Sequence, residues 1–146
     1  MRIFLKNIGV KDIKYLKAFP IQGLVFSITQ RNAEKVRDII EQIPFYLTII
    51  GEVDTSLKYE VEELIFFCKL QGVISKKNQE YSRPIILLNN PTYNVLINNN
   101  GKISTENINL KLLEEFNNIE ALVLDIDEFL NFLPKIIHIW ANYKVV

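Results

Sequence analysis

The hydrophobic positions of the chain fall into short continuous runs, each followed by a turn or by a segment with helical periodicity. In the first half, runs at residues 2–8, 23–27, 45–50 and 72–74 predict four strands. A run that is apolar at nearly every position is typical of a strand covered on both faces. The pattern therefore predicts an α/β protein with a parallel sheet, in which helices between the strands provide the cover.

Three amphipathic segments separate these strands, at residues 11–18, 34–43 and 57–70. The second is preceded by a potential N-cap, Asn32, and ends where a proline follows it. In the third, one apolar face is formed by Val61, Leu64, Ile65 and Cys68. We therefore expect the single cysteine to be a core residue, since a free cysteine packs as a small hydrophobe.

The second half predicts further elements with shorter connections. Its apolar runs predict strands at 84–88, 94–97, 121–125 and 136–140, and its polar–apolar periodicity predicts helices at 105–116, capped by Thr105, and at 127–133, ended by Pro134. Residues 89–93 are too few for a crossover helix, so this connection is degenerate or its two strands are not parallel. Residues 98–101, Asn-Asn-Asn-Gly, predict a turn.

Composition limits the class of protein. The 146 residues are 49% hydrophobic and 23% charged, which is ordinary for one globular domain spanning residues 1–146. Seventeen basic and seventeen acidic residues give no net charge, which argues against nucleic-acid binding by charge alone. One cysteine allows neither an internal disulfide nor a zinc site of cysteines. Without a signal-peptide pattern or a membrane-length apolar run, the expected location is the cytoplasm.

Several segments resemble one enzyme family. Residues 6–12, Lys-Asn-Ile-Gly-Val-Lys-Asp, resemble the Lys-Ile-Cys-Gly-Ile-Thr segment that opens phosphoribosylanthranilate isomerases. Residues 23–26 and 30–32 resemble the second strand of that family and the Ser-x-Arg loop after it. Residues 94–98 resemble its sixth strand, and Gly101-Lys102 resembles a remnant of its Gly-Gly-Thr-Gly loop. Over residues 1–75 the similar segments occur in the same order as in the family. Beyond residue 75 the likeness is only in the order of the predicted strands.

The resemblance implies a (β/α)8 TIM-type barrel and an enzyme of tryptophan biosynthesis without a cofactor. Such barrels have about 250 residues, so a chain of this length would be a shortened, degenerate barrel with several outer helices missing. The family's reaction is an Amadori rearrangement of N-(5-phosphoribosyl)anthranilate, an intramolecular aldose–ketose isomerisation. It needs a general acid and a general base within reach of one substrate.

The family's catalytic positions are altered here. Its base is the cysteine that ends the first strand and its acid is the aspartate that ends the sixth, both at the carboxyl-terminal mouth of the barrel. The position of the cysteine reads Ile8, or Asn7 with a shift of one residue, and the position of the aspartate reads Asn98. None of these side chains transfers a proton at neutral pH. Arg31 matches the arginine that binds the substrate, and the resemblance implies that it grips the anthranilate carboxylate. An aspartate restored at position 98 would be expected to raise activity.

Other polar residues near predicted strand ends are candidates for catalysis. Glu52 or Asp54 could form a carboxylate pair with Asp125 across a barrel mouth, and His138 falls in the last predicted strand. Each also has a purely structural interpretation, as a helix cap, a solvated charge or a core histidine. Where the family binds phosphate through backbone N–H groups, the chain carries Asp125 and Asp127, which would repel it.

These observations leave two main hypotheses. In the first, the chain is a divergent isomerase acting on a phosphosugar with a new acid and base. In the second, it is a catalytically silent relative that binds a partner subunit or a metabolite. Missing outer helices would leave apolar strand faces uncovered, so a homodimer or a partner subunit is expected to cover them. A third possibility is a small open flavodoxin-like sheet with its ligand at a switch point.

Overall fold

The structure is a computed structural model that describes residues 2–115 and 118–142. Its eight strands are β1 Arg2–Lys6, β2 Gly23–Ile28, β3 Thr48–Val53, β4 Gly72–Ser75, β5 Ile85–Leu87, β6 Val95–Asn99, β7 Lys102–Glu106 and β8 Ile119–Leu124. The α-helices of the described residues are α1 Ile13–Ala18, α2 Ala33–Ile40, α3 Lys58–Cys68 and α4 Ile126–Asn142. Two 3-10 segments are Val10–Asp12 and Leu110–Glu115.

The strands close into a barrel in the order β1-β2-β3-β4-β5-β7-β6-β8. Strands β1 to β5 are parallel neighbours, β5 pairs in parallel with β7, and β8 pairs in parallel with β1. Strand β6 lies between β7 and β8 and is antiparallel to both. The prediction of an α/β fold with a closed barrel and few outer helices is therefore confirmed. The barrel is small, and its strand pairs are partly parallel and partly antiparallel.

The reversal of β6 results from a tight hairpin. Asn100 has φ 55° and Gly101 has φ 88°, and the strands on either side pair from Asn99 with Lys102 onwards. Two consecutive positive φ angles are typical of the two-residue hairpin turn that asparagine–glycine favours. The predicted turn at residues 98–101 is confirmed.

The helix predicted from Thr105 to residue 116 is wrong over its first part, because residues 102–106 form β7. Ile103 points into the barrel and Thr105 is completely buried. The Thr105 hydroxyl accepts hydrogen bonds from the backbone N–H groups of Asn89 and Asn90, at 3.0 and 3.1 Å. A threonine before a polar segment can be a helix cap or a strand residue. Here it is a strand residue, because pairing with β6 in the hairpin forms β7.

Two apolar layers lie on opposite faces of the sheet. Outside the barrel, strand side chains pack under the helices, and where no helix follows a strand, Tyr81, Leu110 and Leu113 pack there instead. The interior is filled by Phe4, Val25, Ile50, Ile74, Ile86, Tyr93, Leu96, Ala121 and Val123. Only glycine fits at position 23, since a Cβ there would lie 2.6 Å from the Phe4 ring and 2.8 Å from the Thr48 carbonyl oxygen.

The single cysteine has the role expected from its helix face. Cys68 is buried beneath α3, and its Sγ lies 3.6 Å from the Ala33 carbonyl oxygen of α2. Burial raises the pKa of the thiol to about 11. It is therefore a protonated core residue at neutral pH.

The C-terminal segment differs from its prediction. Residues 126–142 form one helix, α4, with Pro134 inside it, where a short helix and a strand at 136–140 were expected. Buried positions Phe129 and Ile136 lie seven residues apart, so the same helix face continues through the proline. Burial of that face outweighs the cost of about 3 kcal/mol for an internal proline. A short, mostly apolar run such as Ile-Ile-His-Ile-Trp at 136–140 does not distinguish a strand from a buried helix.

Phe129 anchors α4 and gives a test of this packing. Its side chain is 0% exposed and meets the Phe19 ring edge-on at 5.3 Å between centroids. We expect Phe129→Ala to lower the free energy of unfolding by about 3–5 kcal/mol in urea titrations, because it leaves a cavity. Phe45→Ala, at a side chain that is 97% exposed, should change it by less than about 0.5 kcal/mol. Equal effects of the two variants would contradict this placement of α4.

Candidate functional site

The carboxyl ends of the seven parallel strands meet at one end of the barrel, which we call the mouth. Three side chains form a cluster there: Lys6, Glu52 and Tyr93. The Lys6 Nζ lies 3.6 Å from Glu52 Oε1, and the Tyr93 hydroxyl donates to the same oxygen at 2.5 Å. The Lys6 Nζ also lies 4.0 Å from the centroid of the Tyr93 ring. We call these residues the mouth cluster.

Strand alternation places two of these side chains. Phe4 and Ile50 point into the barrel, so Lys6 and Glu52, two residues further along β1 and β3, face the same side. Strand β3 begins at Thr48 and not at the predicted residue 45, so Glu52 lies within the strand. The predicted start was wrong because Phe45 belongs to an exposed turn although it is apolar.

Tyr93 reaches the mouth from the segment before β6. Because β6 is reversed, its amino end lies at the mouth. The Tyr93 side chain is 5% exposed and closes the top of the barrel interior. Burial raises its pKa, and the hydrogen bond to Glu52 raises it further. At neutral pH the hydroxyl is therefore a neutral donor.

Two clefts flank the mouth cluster. One, of about 820 Å³, has an excess of carboxylates, and we call it the acidic cleft; its charged lining is Lys6, Lys11, Asp12, Asp125, Asp127 and Glu128. The other, of about 620 Å³, we call the hydroxyl cleft; its polar lining is Ser27, Thr29, Glu52, Asp54, Thr55, Ser56, Ser75, Lys76 and Lys77. The mouth thus offers two different polar environments.

Arg31 lies in a turn that follows the carboxyl end of β2, beside Thr29 of the hydroxyl cleft. The turn is fixed by Asn32, whose Oδ1 accepts from the Thr29 N–H at 2.7 Å and whose Nδ2 donates to the Ser27 carbonyl at 2.9 Å. Asn32 occupies the predicted N-cap position of α2, but its side chain fixes the loop and makes no hydrogen bond to the first turn of the helix. Arg31 itself is exposed. It is presented at the mouth on a fixed backbone.

Neither side chain at the two positions that match the family's catalytic pair points into the mouth. Ile8 is buried in the outer apolar layer, among residues that pack outside the barrel. Asn98 lies near the end of β6, and because that strand is antiparallel this end is opposite the mouth. There its Nδ2 donates to Glu120 Oε1 at 2.7 Å. The expectation that position 98 lies at the mouth is therefore wrong.

The remaining candidates divide between the mouth and elsewhere. Asp125 lines the acidic cleft and directly precedes α4. Its Oδ1 accepts from the Glu128 N–H at 2.8 Å, and its own N–H donates to Glu128 Oε1 at 3.1 Å. This is a reciprocal helix cap. His138 lies on an exposed position of α4, about 18 Å along the helix from its first residue, so the prediction that it lies in a strand is wrong.

Sequence analysis found Glu52 at the mouth but missed the other two members of the cluster. Counting by two from Phe4 would have placed Lys6 on the inner face of β1. Tyr93 had no such signal, because its position depends on the direction of β6.

Within residues 2–115 and 118–142, no group of three or more histidine, cysteine or carboxylate side chains is arranged to hold a metal ion. No helix in the same ranges is long and apolar enough to span a membrane. Comparisons of the chain with protein-family models, with curated proteins and with solved structures gave no significant match. The site is therefore interpreted from its own geometry.

The position of Asn98 gives a direct test. The hydrogen bond from Asn98 and the ion pair with Arg2 lower the pKa of Glu120, so this carboxylate stabilises the fold above its usual pKa and loses that effect as the pH falls. Asn98→Asp replaces the donor by a second carboxylate. We expect a loss of about 1 kcal/mol of unfolding free energy at pH 7, shrinking towards pH 4 as the carboxylates protonate.

The same variant should show no gain of isomerase activity, since position 98 faces away from the mouth. The control is Asn78→Asp, an exposed position in the segment between β4 and β5. Urea titrations at pH 7 and pH 4 measure the effect. An Asn98→Asp variant that is more stable than the parent at pH 7 would contradict the hydrogen bond to Glu120. A variant that gains isomerase activity would place position 98 at the mouth and contradict the topology.

Proposed function

We propose that this chain is a catalytically silent, shortened relative of the phosphoribosylanthranilate isomerase barrels, which binds a small polar metabolite at its mouth. The proposal includes the finer assignment of the fold as a degenerate TIM-type barrel acting in the cytoplasm. The observation that carries it is the separation of the two family positions: Ile8 packs in the outer layer, and Asn98 lies at the far end of the barrel. An Amadori rearrangement needs both groups on one substrate.

The polar groups of the mouth cluster already bind one another. Glu52 accepts from Tyr93 and pairs with Lys6, so its carboxylate is engaged on two sides. The neutral Tyr93 fills the space above the interior. The cluster therefore closes the barrel and forms the wall between the two clefts.

The hydroxyl cleft is the better binding site of the two. Its serine and threonine hydroxyls both donate and accept hydrogen bonds, which suits a hydroxylated ligand. Lys76 and Lys77 line this cleft and Arg31 lies on the neighbouring turn, so three cations there outnumber the two carboxylates, Glu52 and Asp54, and would attract an anionic group. The acidic cleft would repel such a group, since Asp125, Asp127 and Glu128 lie at the start of α4. In this proposal Arg31 grips a ligand carboxylate.

A divergent isomerase is the second candidate, and the position of Glu52 favours it. This carboxylate lies at the mouth and lines the hydroxyl cleft, so it would be the general base if its hydrogen bond to Tyr93 opened on substrate binding. The Tyr93 hydroxyl and the Lys6 ammonium group beside it are the possible acids. No residue of the family's own pair is required in this alternative.

The silent binding protein and the divergent isomerase can be distinguished by following the fluorescence of N-(5-phosphoribosyl)anthranilate, which reports both its binding and its conversion. We expect the purified chain to bind this compound saturably without converting it. Arg31→Ala should weaken binding at least about tenfold, because it removes a charge-assisted pair. Arg83→Ala, a matched arginine on the segment between β4 and β5, should bind like the parent.

Turnover that Glu52→Gln abolishes, in a chain that still binds, would establish the isomerase and overturn the silent assignment. If the folded chain neither binds nor converts the compound, the proposal that it is a relative of the isomerase barrels that binds this ligand is contradicted. Arg31→Ala and Arg83→Ala binding equally well would remove Arg31 from the site.

A further inference from the structure

Ser75 is a buried polar side chain with an unused hydrogen-bond donor. It is the last residue of β4, is 1% exposed and lines the hydroxyl cleft. Its Oγ accepts a long hydrogen bond, of 3.3 Å, from the backbone N–H of Lys77. Within residues 2–115 and 118–142 this is the only hydrogen bond of the side chain, so the hydroxyl hydrogen has no acceptor there.

The other buried polar side chains of the described residues, Asn94 and Thr105, use both their donors and their acceptors. Asn94 donates to the Ile108 carbonyl oxygen at 3.0 Å and accepts from the Ile108 N–H at 2.9 Å. Thr105 accepts from the Asn90 N–H and donates to the Asn90 carbonyl oxygen, both at 3.1 Å. Such complete pairing is usual for buried polar groups. Ser75 departs from it beside a cleft, which indicates that a ligand supplies the missing acceptor.

Two lysines directly follow this serine in the sequence. Lys76 and Lys77 both line the hydroxyl cleft, are exposed and form no ion pair with a described residue. Of the two carboxylates that line the same cleft, Glu52 already pairs with Lys6, and Asp54 remains. Two unpaired ammonium groups therefore stand against one unpaired carboxylate, and this part of the cleft favours an anion.

The loop that carries the lysines is attached to the opposite side of the cleft. Gln79 Nε2 donates to the carbonyl oxygen of Ser56 at 2.7 Å, and Ser56 lines the same cleft. The same amide nitrogen donates to the hydroxyl of the buried Tyr81 at 2.5 Å. The loop is therefore held in place before a ligand arrives, which lowers the entropic cost of binding.

We propose that Ser75, Lys76 and Lys77 form a subsite for the phosphate group of a phosphomonoester. The Ser75 hydroxyl donates to one phosphate oxygen, and the two ammonium groups neutralise a charge that is close to −2 at neutral pH. Phosphate offers several acceptor oxygens, and lysine binds it as a point charge. The inference rests on the proposed function, because it adds a phosphate contact to the binding site proposed above.

The position of the subsite narrows the class of ligand. Strands β2 and β4 are the two neighbours of β3, and since adjacent strands lie about 4.8 Å apart, their carboxyl ends are about 10 Å apart. Arg31 follows β2, and its planar guanidinium suits a carboxylate. The subsite follows β4. The ligand class is therefore a hydroxylated phosphomonoester that also carries a carboxylate about 10 Å from its phosphate.

Isothermal titration calorimetry with ribose 5-phosphate and with ribose tests the subsite. We expect ribose 5-phosphate to bind at least about tenfold more tightly than ribose, and inorganic phosphate to compete with it. Ser75→Ala should weaken the binding of ribose 5-phosphate at least about tenfold, because a hydrogen bond to a charged group is lost. Ser82→Ala, at an exposed serine outside the cleft, is the matched control and should bind like the parent.

A second variant avoids any change in a buried position. Lys76→Gln combined with Lys77→Gln should also weaken the binding of ribose 5-phosphate at least about tenfold, because it removes both charges. Lys17→Gln combined with Lys102→Gln removes the same charge from exposed positions at the barrel end opposite the mouth, and should bind like the parent. The subsite is overturned if ribose 5-phosphate does not bind, if ribose binds equally well, or if binding survives both Ser75→Ala and the double lysine variant.

Binding of N-(5-phosphoribosyl)anthranilate separates this inference from the proposed function. If that compound does not bind but ribose 5-phosphate binds through Ser75, the subsite is supported and the relationship to the isomerase barrels fails. If the compound binds through Arg31 with equal affinity in the parent and in Ser75→Ala, the proposed function is supported and the subsite is overturned.

Discussion

The hairpin turn at Asn100 and Gly101 is the constraint on which the rest of this structure depends. Both residues have positive φ, so the chain reverses within two residues and β6 and β7 pair as neighbours. A barrel made of parallel strands connected by helices cannot contain such a turn between adjacent strands. Strand β6 is accordingly reversed, and its two ends exchange places. Tyr93 reaches the mouth, and Asn98 reaches the opposite end.

That exchange explains the character of the mouth. Tyr93 fills the top of the barrel interior and needs an acceptor for its buried hydroxyl, which Glu52 supplies. Glu52 in turn needs a positive charge close by, which Lys6 supplies. Polar groups that face a substrate in an open barrel are here engaged with one another. The available polar surface lies to the sides, in the hydroxyl cleft and the acidic cleft.

The first half of the fold followed from its sequence. In the second half the strands predicted at 84–88, 94–97 and 121–125 match β5, β6 and β8, but the segments around Thr105 and Ile136 were predicted wrongly. Continuous apolar runs and amphipathic helices identify β1 to β4, α2 and α3, although the start of β3 was placed three residues early because Phe45 is apolar and exposed. Thr105 and the segment around Ile136 are different, because threonine and a short apolar run fit either a strand or a helix. Their structure depends on partners distant in sequence, namely β6 for Thr105 and the barrel wall for α4. Glu52 could be predicted at the mouth because it is a polar residue on a strand, whereas Tyr93 depends on the direction of β6.

The direction of β6 is tested most directly by backbone nuclear Overhauser contacts between β6 and β8. The structure predicts contacts that join Val95 with Leu122 and Leu96 with Ala121, so that residue numbers rise on one strand as they fall on the other. Contacts between residues whose numbers increase in the same direction along β6 and β8 would show that β6 is parallel to β8. That result would return Asn98 to the mouth and contradict the account of a reversed strand and a closed, internally paired mouth.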